Sequence, residues 1–261
     1  MAISFGTQGN NNFTVTAGDD YEEYRGMGGN DTYTVNPNLT EDVRIQDSSG
    51  SNVVVLGEAV IAGSRFFSSG VELTYASGGV LQILGDMSSF SFVFGGGSDP
   101  FNPQEGGFAN DFEATMTAFG VDPSQVQGMD VVSGIAGTIN DDGTVDELDQ
   151  VTMSIDQGHY SESPVEIDAS LGSFVFTDDA TVGNNVEISG FALDDVIQVS
   201  NASDGDYFFS HDGDDMRISY VADGDTVNVV TLIGVMNSED VVGETEAAFE
   251  AYIGFNAFQL V

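Results

Sequence analysis

Short runs of β-branched and aromatic residues fill most of this chain and restrict it to a β-rich fold. Each run is about four to six residues long and is bounded by Gly, Asn, Asp or Ser, which favour turns. Residues 53–56 (VVVL) and 90–94 (FSFVF) are examples. Only residues 111–119 and 244–252 have the spacing of apolar residues that is typical of a helix. The pattern therefore predicts a mainly β fold.

The β runs of the first half recur in the same order in the second half. The offset between matched runs lies between 142 and 149 residues, which is too long for a solenoid period and indicates tandem modules. A general similarity between any two β-rich stretches is the alternative explanation. The matched runs are 43–45 with 186–188, 53–56 with 196–199, 66–68 with 208–210, 73–75 with 218–220, and 83–85 with 232–234.

This repeat predicts two related β-sandwich or β-roll-like modules with a short insertion and a C-terminal helix. We expect an N-terminal segment at 1–35 and a first β module at 36–97. An insertion with a short helix and an acidic loop follows at 98–170. The second β module then spans 171–238, and a helix with an apolar tail spans 239–261.

The charge of the chain excludes several classes of function. Asp and Glu number 43 against four basic residues, all arginine, so the formal net charge is −39. A nucleic-acid footprint or an anionic-membrane footprint needs clustered positive charge, and no stretch is long and apolar enough to insert into a membrane. The absence of Lys and Cys excludes a phosphate-binding loop, a disulfide and a thiolate metal site.

The acidic composition does not indicate disorder, because 41% of the residues are hydrophobic and 10% are aromatic. A compact state of this charge repels itself and is stabilised by salt or by bound cations. Groups of oxygen ligands that bind cations are therefore the candidate sites of this chain.

Two consecutive nonapeptides at 17–34 are rich in Gly and Asp. The second, GMGGNDTYT, matches the pattern G-G-x-G-x-D-x-U-x except that Met27 stands at the second glycine. The first, AGDDYEEYR, is a poorer match, with Glu22 at the aspartate position. This segment resembles the RTX (repeats-in-toxin) family.

The RTX resemblance implies a parallel β-roll whose turns bind Ca²⁺ through aspartate carboxylates and backbone carbonyls, with each ion shared between neighbouring turns. Ca²⁺ takes six to eight oxygen ligands, and glycine lets carbonyl groups approach the ion. A glycine-rich hairpin turn with solvated aspartates is the alternative. The candidate ligands here are Asp19, Asp20, Glu22, Gly29 and Asp31.

A second acidic loop lies at 138–149 and partly follows the EF-hand pattern of calcium ligands. Thr138 replaces the leading aspartate, and no helix is predicted before the loop. An acidic β-turn is the alternative. The candidate ligands are Asn140, Asp142, Thr144, Asp146 and Asp149.

Three Asp-Gly loops in the second module form a third acidic group. Asp-Gly is also a hairpin-turn signature, so turn chemistry explains each loop singly. If the loops share one end of the module, their carboxylates repel one another unless a cation binds. The candidate ligands are Asp204, Asp206, Asp212, Asp214, Asp215, Asp223 and Asp225.

Nothing in the chain has the pattern of a catalytic site. His159 and His211 are far apart in the sequence and lie outside any hydrolase or metalloprotease motif. Carboxylate pairs carry no information in a chain with 43 acidic residues. We therefore expect a protein that is not an enzyme.

The whole sequence is similar to RTX proteins that bacteria export by type I secretion. The resemblance rests on the segment at 17–34, on the acidic Gly- and Asp-rich β runs, and on the apolar end at 244–261, which is similar to an uncleaved export signal. It implies a secreted protein, extracellular or on the cell surface, with Ca²⁺ as its cofactor. We expect a structural protein that binds copies of itself in a filament or surface layer.

Two other functions stay open. The first is an adhesin or carbohydrate-binding module of a secreted protein, whose partner is a cell-surface polysaccharide. The second is an acidic domain of a halophile, whose charge serves solubility in high salt.

Overall fold

The computed structural model describes residues 2–16, 22–96, 106–126, 131–156, 163–202, 207–222, 226–236, 246–253 and 257–261. The predicted mainly β fold is confirmed. Helices in these residues are α1 (Phe112–Ala118) and α2 (Glu246–Ile253), with 3-10 turns at Met87–Ser89, Pro123–Gln125 and Ala169–Leu171. The first strands are β1 (Ala2–Phe5), β2 (Asn12–Val15), β3 (Glu22–Arg25), β4 (Thr32–Val35), β5 (Val43–Asp47), β6 (Asn52–Gly57), β7 (Val60–Phe67), β8 (Gly70–Tyr75), β9 (Val80–Gly85), β10 (Phe90–Gly95), β11 (Gly107–Asp111), β12 (Val132–Gly134), β13 (Gly137–Ile139) and β14 (Val145–Glu147). The remaining strands are β15 (Val151–Ser154), β16 (Val165–Asp168), β17 (Phe174–Asp179), β18 (Asn184–Ser189), β19 (Val196–Ser200), β20 (Tyr207–Asp212), β21 (Asp215–Ala222), β22 (Thr226–Ile233) and β23 (Phe258–Leu260).

The chain divides into two compact units, Met1–Asp149 and Gln150–Val261. The segment 98–170, which we expected as an insertion, is shared between them. Its described strands up to β14 belong to the first unit, and β15 and β16 belong to the second. The division differs from the expected module boundaries because these strands extend the sheets of the unit on their own side.

The first unit begins with parallel coils that stack on one another. Each coil gives one strand to each of two sheets, so that β1, β3 and β5 pair in one sheet and β2, β4 and β6 pair in the other. Ala2 pairs with Glu22 and Glu22 pairs with Val43, which gives coil periods of 20 and 21 residues. A fourth coil, β9 and β10, follows the antiparallel hairpin of β7 and β8.

The core of the first unit lies between its two sheets. Alternate residues of the coil strands point inward, as strand geometry requires, and Tyr33, Ile45 and Val54 have no exposed surface. Phe13 stacks on Tyr33 with ring centroids 5.0 Å apart. The predicted helix near 111–119 is confirmed as α1, which Asp111 caps by accepting a hydrogen bond from the Ala114 N–H.

The second unit repeats the strand order of the first, as the matched runs predicted. Its sheets run β16-β18-β22-β21-β20 and β15-β17-β19-β23, and the first unit contains β3-β5-β9-β8-β7 and β2-β4-β6-β10 in the same order. Ile45 pairs with Ile83 as Ile188 pairs with Leu232, so the pairing register also agrees. Both units are therefore roll-like modules of one topology.

One of the matched runs is wrong in detail. The sequence aligned the Phe-Phe-Ser run at 66–68 with the run at 208–210. In the structure, however, Phe66 pairs with Val71 and the equivalent pair is His211 with Met216. The position equivalent to Phe66 is therefore His211, because the pairing within the hairpin fixes the register and the local resemblance of the letters does not.

The C-terminal residues complete the core of the second unit. The predicted C-terminal helix is confirmed as α2, and its Phe249 stacks on Phe209 at 5.6 Å. The apolar tail forms β23, which pairs in parallel with β19, and Phe258 is 1% exposed. No helix among the described residues is long and apolar enough to cross a membrane.

We predict that Phe258→Ala destabilises the second unit by about 3–5 kcal/mol, the usual cost of truncating a buried phenylalanine. Phe258 contacts the rings of Tyr207, Phe209 and Tyr220, and the substitution leaves a cavity between them. Urea unfolding measures the loss, and hydrogen exchange at β19 locates it. Val261→Ala is the control, because Val261 is 71% exposed. Equal stability of the two variants would contradict the placement of β23.

Candidate metal-binding turns

Asparagine side chains link neighbouring coils along one edge of the first unit. The Asn30 N–H donates to Oδ1 of Asn10 at 2.9 Å, and the Ser51 N–H donates to Oδ1 of Asn30 at 2.9 Å. These hydrogen bonds satisfy backbone donors in turns that the strand ladders do not reach. The turns at 6–11, 26–31 and 47–52 are thereby held in register.

Asp31 lies in the middle of a second series of such bonds. The Asp31 N–H donates to Oδ1 of Asn52 at 3.0 Å, and the Asn11 N–H donates to Oδ1 of Asp31 at 2.7 Å. Residues 11, 31 and 52 therefore occupy one position in successive coils. Only Asp31 among them is a carboxylate, so neighbouring turns do not offer the aspartate pair that the RTX resemblance implies.

The second oxygen of Asp31, Oδ2, is buried and has no hydrogen-bond partner within the described residues. The carboxyl group of Asp47 and the hydroxyl of Tyr33 lie beside it, around Gly26, and a Cβ atom at position 26 would overlap with all three groups. The Tyr33 hydroxyl donates to Oδ2 of Asp47 at 2.8 Å. Burial raises the pKa of Asp47, and the neighbouring Asp31 adds to the rise.

The other predicted ligands of this segment have separate surroundings. Glu22 is half-buried at the start of β3 and accepts a hydrogen bond from the Tyr24 hydroxyl at 2.7 Å. Gly29 has a φ of +98°, which a glycine adopts without strain. Asp19 and Asp20 lie outside the described residues.

The acidic loop at 138–149 forms a β-hairpin between β13 and β14, in which Ile139 pairs with Val145. Asp142 Oδ1 accepts hydrogen bonds from the Thr144 N–H at 3.1 Å and from its hydroxyl at 2.6 Å, and these bonds lower the pKa of Asp142. The Asn140 amide donates to the Thr144 hydroxyl. Asp146 and Asp149 are exposed. The polar groups of this turn thus bind one another, and calcium binding here stays a prediction.

The loops of the second module border opposite ends of its sheet. Asp212 pairs with Asp215 across the hairpin of β20 and β21, whereas Ala222 pairs with Thr226 at the far end of β21. Asp214 is exposed in that hairpin. The strand end at Tyr207 also lies at this far end, because Tyr207 pairs with Tyr220. Asp204, Asp206, Asp223 and Asp225 themselves lie outside the described residues.

No group of three or more Asp, Glu or His side chains comes close enough to hold a metal ion in the described part of the chain. The best-formed groups instead contain two carboxylates and a tyrosine. The sequence motifs missed Asp47 in the first group and both Asp156 and Asp178 in the second. Asp47 belongs to no local motif. The coil period identifies it, because Gly6, Gly26 and Asp47 are 20 and 21 residues apart and occupy equivalent positions.

A similar group lies in the second unit around Asp178, which is 3% exposed. Its carboxyl group accepts hydrogen bonds from the Tyr220 hydroxyl at 2.5 Å and from the Asn184 amide at 2.6 Å. Burial raises the pKa of Asp178 to about 7, and Asp156 contributes to the rise. Asp178 therefore changes its charge near neutral pH.

Comparisons with known proteins give a distant structural match. No protein-family model matches the chain, and no curated protein matches it. Among solved structures, the chain is similar to the extracellular lipase LipA from Serratia marcescens, with 14% sequence identity and a TM-score of 0.30. The match covers 89% of this chain and 38% of the lipase chain.

We predict that the unfolding free energy falls between about pH 4 and pH 7 by a contribution that Asp178→Asn removes. Burial raises the pKa of Asp178 to about 7 in the folded protein, from an ordinary value of 3.8. Over that interval the folded state binds more protons than the unfolded state, so a rise in pH destabilises it. Urea unfolding at a series of pH values measures the difference between the two proteins.

Asp179→Asn is the control at the neighbouring residue, because the contribution of Asp179 to the unfolding free energy changes with pH in the opposite direction. Hydrogen bonds from Thr181 lower the pKa of Asp179, so its contribution to stability is lost when the pH falls through that lowered pKa. Parallel pH profiles for the wild type and Asp178→Asn would contradict the protonation of Asp178.

Proposed function

We propose that this protein is a non-catalytic, calcium-stabilised β-roll whose copies join into an extracellular filament or surface layer. One observation carries the proposal: the outermost coil of the stack in the first unit, which comprises β1 and β2, pairs on one side only within the described residues. We call it the first coil.

The first coil presents edges on both sheets. In the described residues β1 pairs only with β3, and β2 pairs only with β4. All four residues of β1 are exposed, and Ile3 and Phe5 remain 39% and 61% exposed. An edge strand has unpaired N–H and C=O groups, and apolar side chains on it favour pairing with another chain.

The stacking itself supplies a way for a second copy to bind. Successive coils pair in both sheets with nearly constant register, so an edge from a second copy placed on the first coil adds a strand by the same hydrogen-bond pattern. The exposed side chains of Ile3 and Phe5 are then removed from water. The contact between two copies therefore combines backbone hydrogen bonds with the burial of apolar side chains.

The net charge of −39 opposes such a contact, because two copies repel each other. Divalent cations offset this repulsion better than monovalent ions at equal ionic strength when carboxylates hold them at defined sites. Copies of the protein therefore assemble only when calcium is bound. Inside a cell, where free calcium is low, the chain stays loose enough for export, in keeping with the RTX resemblance.

We predict that calcium produces large assemblies of the wild type and that the double variant Ile3→Lys/Phe5→Lys assembles much less. The added lysines lower the net negative charge, so a loss of assembly follows from the altered edge and not from greater repulsion. Sedimentation velocity and negative-stain microscopy, with millimolar calcium or with EGTA, measure the change.

Val131→Lys/Leu193→Lys is the matched control. Val131 and Leu193 lie outside the strands and are 59% and 66% exposed, and the charge changes by the same amount. A wild type that stays monomeric in calcium would contradict the proposal, as would equal loss in the two double variants. If the extent of assembly depends on the KCl concentration and not on calcium, the result would favour the acidic domain of a halophile. Binding to a glycan array would favour the adhesin or carbohydrate-binding module.

A further inference from the structure

The side chains around Gly26 leave a buried negative charge without compensation. Asp31 is 0% exposed and Asp47 is 2% exposed, and neither forms a salt bridge within the described part of the chain. Ionised carboxylates are expensive to bury unless they are paired with a cation or fully hydrogen-bonded. A cation between these two groups would balance their charge.

The hydrogen bonds account for all but one of the carboxylate oxygens. Asp31 Oδ1 accepts from the Asn11 N–H and amide, Asp47 Oδ1 accepts from the Ser49 N–H, and Asp47 Oδ2 accepts from the Tyr33 hydroxyl. Asp31 Oδ2 alone has no donor within the described residues, and it lies with Asp47 Oδ2 and the Tyr33 hydroxyl around Gly26. The buried oxygen thus faces the site that a cation would occupy.

The coil repeat explains why there is room for these oxygens. Position 26 is glycine, and any side chain there would overlap with Asp31 Oδ2, Asp47 Oδ2 and the Tyr33 hydroxyl. Asp47 occupies the equivalent position in the next coil. The glycine of one coil therefore leaves space for the carboxylate of the next, and three oxygens from two coils converge.

We propose that Asp31, Asp47 and Tyr33 form a buried site for one calcium-sized divalent cation that joins the second and third coils. Two carboxylates balance the charge of the ion, and hard oxygen ligands of this kind suit Ca²⁺ and Mg²⁺. The site differs from the one that the RTX resemblance implies, because Asp47 stands at a glycine position of the repeat and Asn11 and Asn52 replace the neighbouring aspartates. It rests on the calcium part of the proposed function and not on assembly.

Calcium titration calorimetry of the full chain, first freed of metal with EGTA, tests this site. We expect Asp47→Asn and Asp31→Asn each to bind one ion fewer than the wild type. Asp195→Asn is the matched control: Asp195 is also 0% exposed, but its two oxygens accept hydrogen bonds from the Phe174 and Ala192 N–H groups. That variant keeps the wild-type stoichiometry.

Hydrogen exchange on the wild type gives a second measurement that needs no variant. Calcium slows exchange in the turns at 26–31 and 47–52 if the ion joins these coils. The inference is overturned if both aspartate variants keep the wild-type stoichiometry, or if calcium protects other parts of the chain and leaves these turns unchanged. In that case calcium-dependent assembly can still hold through other sites. A monomeric wild type that loses one ion in both variants would support the site and contradict assembly.

Discussion

The stacking of parallel coils is the interaction on which the rest of the first unit depends. A coil of two short strands has no partner for its backbone groups until the next coil lies beside it, so each coil is stable only in a stack. In the strands, the hydrogen bonds of the sheets pair these backbone groups. In the turns, backbone N–H groups donate to the side chains of Asn10, Asn30 and Asn52. The core residues then face inward because the register is fixed.

Repulsion between carboxylates destabilises this stack. The burial of individual carboxylates matters more here than the net charge of the chain. Most of the carboxylates in the described part of the chain are exposed and need only ions in solution, but Asp31, Asp47 and Asp178 are buried within the modules. The buried carboxyl group of Asp178 accepts hydrogen bonds from two donors, and burial raises its pKa to about 7. In the Asp31 and Asp47 pair, Oδ2 of Asp31 has no donor among the described residues, which is why we propose a cation as its partner.

Local sequence patterns predicted the elements and the repeat of this fold well. The short β runs and the two helical stretches are confirmed, because side-chain periodicity decides which face of an element is buried. The alignment of the run at 66–68 with the run at 208–210 was wrong, since one Phe-Phe-Ser run resembles another without sharing its pairing. Asp47 was missed because its role depends on a residue of the preceding coil, and the tail was not recognised as a strand because its partner β19 lies about 60 residues away in sequence. The calcium roles predicted for the acidic loops stay predictions.

Calcium stabilisation of the stacked coils is tested most directly by thermal unfolding at increasing free calcium and constant ionic strength. An ion that binds the folded state and not the unfolded chain raises the unfolding midpoint with the logarithm of its concentration above the dissociation constant. We expect that dependence for calcium and a much weaker one for potassium. A midpoint that follows ionic strength alone, whichever cation supplies it, would contradict a specific calcium requirement.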